Sequence, residues 1–200
     1  MWCYPLEATD VAFGRCLNKE VPVSVLNSAS LAPSQELTVD TDRFKGAMRH
    51  LAGAVSVITV GQGADRTGFT ATSVTSLAID PPSVLVSLNR NSSSWPALQR
   101  HGAFVVNVLA HDQQHIADRF TGRDGIRGSA RYDGAIWQDL VTGTPALTDA
   151  LTVLDCELEE AIDRHSHAIL IGRVRAITIR HDADPLLYWH GSYRQLQADR

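Results

Sequence analysis

Residues 68–82 carry hydroxyl side chains in a pattern that favours ligand binding. Their β-branched content predicts a strand, yet polar side chains fall on both of its faces, where a core strand alternates polar with large apolar residues. The hydroxyls belong to Thr70, Thr72, Ser73, Thr75 and Ser76. An interior hydroxyl needs a hydrogen-bonding partner, and small side chains let a flat ligand approach the backbone. We interpret this strand as the floor of a ligand site; a Thr-rich edge strand with solvated hydroxyls is the alternative.

A second predicted strand, residues 83–88, delivers a polar loop to one end of this floor. The loop, residues 89–94, reads Asn-Arg-Asn-Ser-Ser-Ser. A helix is predicted to follow, with Ser94 as its N-cap and Gly102 as its stop. A helix N-terminus presents unpaired N–H groups that can bind a phosphate, and a capped surface helix without a ligand is the alternative. The side chains close enough to help are those of Arg90, Ser92 and Ser93.

His165 and His167 form the most prominent pair of titratable side chains. An H-x-H pattern on a strand places both imidazoles on one face, but no third ligand stands at a spacing typical of a metal site. We therefore expect no metal, and prefer a single histidine at the mouth of a barrel, in contact with substrate or cofactor. No Ser/His/Asp or Cys/His arrangement indicates covalent catalysis, so a bound cofactor is expected to supply the reactivity.

A short helix capped by Asp112 is predicted to bury Ile116, Ala117 and Phe120. Arg119 and Phe120 then lie at its end, where a cation and an aromatic ring could flank a ligand. A core phenylalanine beside a solvated arginine is the alternative. The glycine-rich stretch that follows, residues 121–150, has no sustained period and is predicted to be a long loop anchored by Trp137, and loops of this length tend to be functional or disordered.

The elements that would position these side chains predict an antiparallel, largely closed barrel. About seven strands follow one another with hairpin-like spacing and only short helices between them, whereas parallel units need a helical crossover after nearly every strand. A packing helix with an apolar face is predicted to begin at Asp40 or Thr41 and to stop at Gly53. That face consists of Phe44, Ala47, Met48 and Leu51. Cys156 is predicted to be a core thiol on the longest hairpin.

Composition indicates one soluble domain without nucleic-acid or membrane functions. The chain has 200 residues, of which 44% are hydrophobic and 20% charged, with a net charge of −4. No basic cluster favours nucleic-acid binding, and no apolar run reaches the roughly 20 residues of a membrane span. We predict that residues 1–38 are a poorly ordered N-terminal extension and that residues 39–200 form the domain. Three cysteines without a CxxC pair are typical of a reduced, cytoplasmic protein.

Several of these fragments together resemble the flavin reductase family. The first group contains residues 68–77, Asp80-Pro81-Pro82, Asn89-Arg90, Ser93, Gly102-Ala103-Phe104 and residues 106–109. The second group contains Trp137, Gly143-Thr144-Pro145, Leu151, Cys156, His167, Gly172-Arg173-Val174, Leu187-Tyr188 and Tyr193. In this order and spacing, the fragments cover residues 44–196. The resemblance implies an antiparallel FMN-binding split β-barrel of the Greek-key type, mainly β, with short peripheral helices.

The resemblance also implies the residues of the site. His167 is similar to the histidine beside which the nicotinamide is thought to stack, and is the one catalytic residue expected. Tyr193 stands near the same mouth, and Arg119 and Phe120 match a contact at a helix end. Arg90 is added as a phosphate partner from its charge and position. The other flavin contacts carried over are Thr67, Gly68, Phe69, Thr70, Thr72, Ser73, Ser87, Leu88, Asn89, Ser93 and Ser94.

A homodimeric NAD(P)H:flavin oxidoreductase is the activity that the resemblance implies. Hydride would pass directly from NADH or NADPH to FMN or FAD, and the reduced flavin would serve a separate flavin-dependent oxygenase. The sequence leaves both cofactor choices open. A module that holds FMN tightly as an electron carrier or redox sensor, with little NAD(P)H turnover, is the main alternative. An oxidase acting on a phosphorylated pyridoxine would need a second phosphate site, for which there is no clean candidate.

Overall fold

We describe the protein from a computed structural model, which defines residues 38–196. All but the last residue of the predicted N-terminal extension lie outside this range, so the division of the chain at residue 38 stays a prediction. The α-helices are α1 (Thr41–Met48), α2 (Ser94–His101) and α3 (Gln114–Thr121). The strands are β1 (Gly53–Ala54), β2 (Ser56–Val60), β3 (Thr67–Ala71), β4 (Thr75–Ile79), β5 (Pro82–Asn89), β6 (Ala103–Val108), β7 (Trp137–Asp139), β8 (Pro145–Leu147), β9 (Thr152–Arg164), β10 (His167–Ile179), β11 (Leu187–Trp189) and β12 (Ser192–Arg194).

Seven strands form one antiparallel sheet that dominates the fold. Their order is β3-β2-β6-β9-β10-β5-β4, so β3 and β4 are the two edges although they follow each other in the chain. Residues 72–74 connect these edges. Within this connection the Ser73 hydroxyl donates to the carbonyl oxygen of Ser87 on β5 at 3.3 Å and accepts from the Ser87 N–H at 3.2 Å. The prediction of a mainly β, antiparallel split barrel is confirmed.

The predicted floor strand is in fact two strands. The β-branched residues between Gly68 and Asp80 favour one continuous strand, but the chain bends at residues 72–74. β3 pairs with β2, while β4 pairs with β5 on the opposite edge. The prediction of a single strand is wrong because pairing with two different neighbours outweighs local preference, as is usual for β-structure. Only β3 remains as the floor.

Alternating side chains of the central strands feed two hydrophobic clusters, one on each face of the sheet. On β2, Val57 packs with α3 in one cluster, whereas Ile58 packs with α2 in the other. Successive residues of a strand point to opposite faces, which explains the division. Cys156 is fully buried in the second cluster, as predicted for a core thiol. Burial raises the pKa of this thiol to about 12, with a further contribution from Asp155.

Helix α1 begins where the sequence predicts but does not bury its apolar face. Asp40 caps it by accepting a hydrogen bond from the N–H of Arg43 at 2.9 Å. Within the described chain, however, no residue of the helix is buried. The exposed fractions of Phe44 and Leu51 are 57% and 65%. The face predicted to pack is therefore exposed in the single chain.

The starts of the other two helices differ from prediction by one residue each. Ser93 is the N-cap of α2 and Ser94 its first residue, while Gly102 ends the helix with a φ of +61°. The N-cap of α3 is Gln113 rather than Asp112, and Ile116, Ala117 and Phe120 are buried as predicted. Within residues 38–196, no helix is both long and apolar enough to cross a membrane.

Residues 121–150 are better ordered than their composition indicates. A 3-10 helix spans Gly128–Tyr132, and β7 and β8 pair as a small hairpin. Trp137 anchors this region, as predicted, because its indole N–H donates to the carbonyl oxygen of Tyr132 at 2.9 Å. At the other end of the chain, β11 and β12 form a hairpin on β1.

Candidate functional site

The first cavity, which we call the Tyr193 cavity, lies between β3 and the β11–β12 hairpin. Its volume is about 380 Å³, within the usual range for ligand pockets. β3 supplies one wall, the end of α3 supplies Phe120 and Thr121, and the hairpin supplies Tyr188, Gly191 and Tyr193. Of the predicted site residues, Phe69, Thr70, Thr72, Phe120 and Tyr193 line it.

The second cavity, which we call the His167 cavity, lies between β3 and the ends of β5 and β10. Its volume is about 280 Å³. His167 begins β10 and pairs with Asn89 at the end of β5, which brings these two predicted residues together. The predicted residues that line it are Phe69, Thr70, Thr72, Ser73, Ser87, Leu88, Asn89 and His167.

The two cavities share four consecutive residues of β3 and its end, residues 69–72. Threonine and alanine follow Phe69 here, so small side chains separate the cavities. The carboxyl end of β3 is therefore a floor for both, as the hydroxyl pattern predicts. A ligand that extends along this strand would contact β5 and β10 at one end and the β11–β12 hairpin at the other.

The floor strand is held from behind by two residues that sequence reasoning missed. The guanidinium of Arg131 donates to the carbonyl oxygen of Gly68 and lies 3.4 Å from the hydroxyl oxygen of Thr67. The Tyr132 hydroxyl donates to the carbonyl oxygen of Thr67 at 2.6 Å. Burial lowers the pKa of Arg131 and raises that of Tyr132. Both side chains therefore hydrogen-bond to β3.

Thr67 and Gly68 lie behind the floor and line neither cavity. Thr67 is 5% exposed. A Cβ atom on Gly68 would stand 2.5 Å from the carbonyl oxygen of Ile58 and 2.8 Å from the ring of Phe120. Glycine at this position lets β2, β3 and α3 approach one another, which is a role in packing the floor.

The predicted phosphate loop is placed in part against the His167 cavity. Ser92 lines that cavity, whereas Ser93 and Ser94 do not. Ser94 is fully buried, and its hydroxyl oxygen has no hydrogen-bond partner among the described residues. Arg90 is 3.3 Å from a carboxylate oxygen of Asp163, and its guanidinium lies 5.9 Å from the ring centre of Trp95. The structure therefore turns Arg90 toward β9.

Arg119 turns away from the cavities and braces the neighbouring loop. Its guanidinium donates to the carbonyl oxygens of Ala130 and Arg131 and lies 3.4 Å from a carboxylate oxygen of Asp133. Phe120, the next residue, is 1% exposed and belongs to the core, but its ring also lines the Tyr193 cavity. The two neighbours therefore have different environments.

Tyr193 is oriented by a carboxylate on α3. Its hydroxyl donates to Asp118 Oδ1 at 3.0 Å. Burial raises the pKa of the phenol to about 12, and the hydrogen bond and negative charge of Asp118 add to the effect. At neutral pH the phenol is protonated and donates to Asp118.

His167 is exposed at the mouth of its cavity, with Nδ1 2.9 Å from the hydroxyl oxygen of Ser166. His165 occupies the hairpin turn with a φ of +51°, so the two histidines do not lie on one strand face. Within residues 38–196, no three side chains of His, Cys, Asp or Glu are close enough together to hold a metal ion.

Other residues of the site could not be found from the sequence. Arg123 and Tyr188 line the Tyr193 cavity, and Asp118 holds Tyr193. The loop of Arg123 lacks the periodicity that sets a register, and Asp118 is an ordinary polar residue on an amphipathic helix. Tyr188 lies in the strand fragment Leu187-Tyr188, but its position alone does not indicate a cavity.

An antiparallel split barrel with two cavities that share one edge strand is the architecture of a small-ligand-binding β-barrel. The family model described as flavin reductase like domain matches residues 48–197. The FMN reductase (NADH) RutF of Methylorubrum extorquens (strain DSM 6343) is 39% identical over 166 residues, which are 82% of this chain and 78% of that protein. The chain belongs to the flavin reductase family, so the predicted resemblance is confirmed.

Solved structures of flavin reductases are similar to this chain. BorF, the flavin reductase component of a bacterial two-component tryptophan halogenase, has a TM-score of 0.73 and 34% identity, and the match covers 80% of this chain and 100% of BorF. The NADH:FAD oxidoreductase SgcE6 of Streptomyces globisporus, in complex with NAD and FAD fragments, has a TM-score of 0.73 and 25% identity, covering 80% and 94%. The prediction of a flavin reductase is confirmed.

Proposed function

We propose that this protein transfers hydride from NADH to FMN, and that the groove formed by the two cavities is where both molecules bind. The observation that carries the proposal is the arrangement of His167 and the β3 hydroxyls around one cavity, in a chain similar to an FMN reductase (NADH). The net reaction converts NADH, FMN and a proton into NAD⁺ and reduced FMN.

The residues of the groove fit a flavin. Thr70 on β3 and Thr72 and Ser73 just after it place hydroxyl oxygens at the cavities, where the oxygen of Thr70 can still accept while its hydrogen is donated to Ala117. Asn89 offers an amide at the end of β5, and Phe69 and Phe120 offer flat apolar surface. A flavin combines an apolar ring system with a polyhydroxyl chain, so it needs both kinds of contact. When bound, the flavin supplies the acceptor for the hydride of the reduced nicotinamide.

The side chains of this protein would align the two molecules and exclude water. Proximity and orientation alone can lower a barrier substantially when both reactants are held. β3 would form the floor under the flavin, and His167 would contact the nicotinamide at the open side. The hydroxyl oxygen of Ser166 lies 2.9 Å from Nδ1 of His167 and would help to orient the ring. Arg90, Ser93, Ser94 and Arg119 remain proposed contacts that would have to turn toward the groove.

The experiment that tests the proposal is NADH oxidation by the purified protein, followed at 340 nm with added FMN, FAD or riboflavin. We expect many turnovers that depend on added flavin, with FMN and NADH preferred over FAD and NADPH. Flavin that remains bound without stimulating turnover would contradict the proposal and favour an electron carrier.

Reduced flavin made by the reaction would pass by diffusion to a separate flavin-dependent oxygenase. Cys156, a free and buried cysteine, suits the reducing cytoplasm proposed as its location.

We also propose that the protein is a homodimer, in which a second copy covers α1 and β4. Phe44, Met48 and Leu51 are exposed on α1, and every residue of the edge strand β4 is exposed. Exposed apolar surface of this kind marks interfaces, and an edge strand with one free side favours pairing with another strand.

Light scattering should give a mass of about twice 21.8 kDa. Phe44→Asp should yield monomers, whereas the control Lys45→Asp should not; a monomeric wild-type protein would exclude the dimer.

A further inference from the structure

We propose that Asp118 is a positioning residue of the reductase. It acts through Tyr193 to hold the β11–β12 hairpin at the distance from β3 that ligand binding requires. The proposal rests on the proposed function, because it takes this cavity as part of the groove that binds flavin and nicotinamide. Asp118 does not line the cavity, so its effect has to be transmitted by Tyr193.

Two consecutive residues of α3 hold the two opposite walls of this cavity. The Tyr193 hydroxyl, from the hairpin wall, donates to Asp118 Oδ1 at 3.0 Å. The Thr70 hydroxyl, from the floor, donates to the carbonyl oxygen of Ala117 at 2.6 Å. Because Ala117 and Asp118 are neighbours on one helix, α3 links the floor to the hairpin and sets the separation between them.

The hairpin wall needs such a link because it is small. β11 and β12 have three residues each. β11 pairs with β1 through only two residue pairs, Tyr188 with Gly53 and Leu187 with Ala54. A short hairpin has little stability of its own. The rings of Tyr188 and Tyr193 contact each other edge to face, with centres 5.5 Å apart, so displacement of Tyr193 would also displace Tyr188 on the same wall.

The first test compares Asp118→Ala with Asp118→Asn. The asparagine keeps an oxygen that accepts from Tyr193, whereas the alanine removes it. For Asp118→Ala we expect KM for NADH or FMN to rise about fivefold to thirtyfold, the usual effect of one lost hydrogen bond, with kcat within about twofold. Asp118→Asn should restore KM to within about twofold of the wild type. Asp139→Ala removes an exposed carboxylate on β7 and is the matched control. Equal impairment in Asp118→Ala and Asp118→Asn would overturn the proposal.

The second test asks whether Asp118 acts through Tyr193. If it does, Tyr193→Phe removes the same interaction, and Asp118→Ala combined with Tyr193→Phe should be no worse than Tyr193→Phe alone. Non-additive effects of this kind identify residues that act as one unit. Effects that add fully in the double variant would show that Asp118 works by another route and would overturn the proposal.

A third measurement does not depend on turnover. Tyrosinate absorbance at 295 nm, taken as the difference between each protein and its Tyr193→Phe counterpart, reports the ionisation of Tyr193. A phenol with a pKa of about 12 is about one-tenth ionised at pH 11. Asp118→Ala should raise this fraction, and an unchanged fraction would overturn the proposal. If the wild-type protein did not oxidise NADH at all, the proposed function would fail while this measurement still tested Asp118.

Discussion

The guanidinium of Arg131 lies buried against the carbonyl oxygen of Gly68, 63 residues earlier in the chain. Arg131 is 8% exposed, and its side chain also donates to the carbonyl oxygen of Ile126 at 3.2 Å. No carboxylate of the described residues forms an ion pair with it, so backbone oxygens and the Thr67 hydroxyl are its partners. The irregular segment after α3 is thus the support on which the floor strand rests.

Arg131→Met should therefore weaken both the fold and the site. The methionine fills similar space but removes the hydrogen bonds that Arg131 donates to the carbonyl oxygens of Gly68 and Ile126. Loss of hydrogen bonds to a charged donor costs about 2–3 kcal/mol, which urea unfolding should reveal as a lower midpoint. FMN affinity, measured by fluorescence quenching, should fall as well. Arg127→Met changes an exposed arginine of the same segment and is the control; a midpoint no lower than that of the control would count against this role.

Gly68→Ala should destabilise the protein although it adds a single methyl group. The new Cβ would meet the carbonyl oxygen of Ile58 at 2.5 Å and the Phe120 ring at 2.8 Å, and such overpacking typically costs about 1–3 kcal/mol. Thermal unfolding should show a lower Tm. Gly46→Ala, on α1 with no atom within 4 Å of the added Cβ, should instead raise stability by about 0.5–1 kcal/mol. A Gly68→Ala protein as stable as the wild type would mean that β2 and β3 separate more easily than this packing implies.

His167→Ala should impair the reaction with NADH while flavin affinity stays within about twofold. His167 is exposed at the cavity mouth, where it can contact a second ligand, so we expect a loss of about tenfold or more in kcat/KM for NADH through lost orientation. Stopped-flow reduction and flavin titration measure the two effects separately. His181→Ala, an exposed histidine outside both cavities, is the comparison. An equal loss of flavin affinity would remove the assignment of His167 to the nicotinamide.

The thiol of Cys156 should be unreactive in the folded protein at pH 8. Burial raises its pKa from 9.0 to about 12, so the folded state retains a proton that the unfolded state releases. The stability from this protonation is complete below pH 9 and is lost as pH rises from 9 toward 12. In a Cys3→Ser, Cys16→Ser background, a disulfide reagent should label the protein only after urea is added. Rapid labelling without urea would show that the thiol is accessible.

Long, continuous β-forming runs made much of the sheet predictable. Runs rich in residues that favour sheets predict strands at residues 104–109, 151–161 and 168–179, and β6, β9 and β10 begin and end within three residues of these runs. The bend at residues 72–74 was not predictable, since no glycine or proline interrupts the sequence between Gly68 and Asp80. Only the pairing of β4 with β5 reveals it.

The residues that line the groove were predictable to the extent that they lie on regular strands. Thr70, Ser87 and His167, which the family resemblance predicts as ligand contacts, line the cavities, and their roles toward ligands stay predictions. Asp118, Arg131 and Tyr132 could not be found because their partners are distant in sequence. Hydrogen bonds of Arg131 and Tyr132 to β3 depend on the path of an irregular segment, which local sequence does not determine.

A ligand in the His167 cavity would lie where the connection between β3 and β4 contacts β5. β3 and β4 are the free edges of the sheet, and Ser73 makes the contacts with β5 that join them. Ser73 also lines the His167 cavity together with Ser87. A molecule bound there would contact both Ser73 and Ser87, and because it would bind only the folded barrel, it would stabilise the fold in proportion to its occupancy.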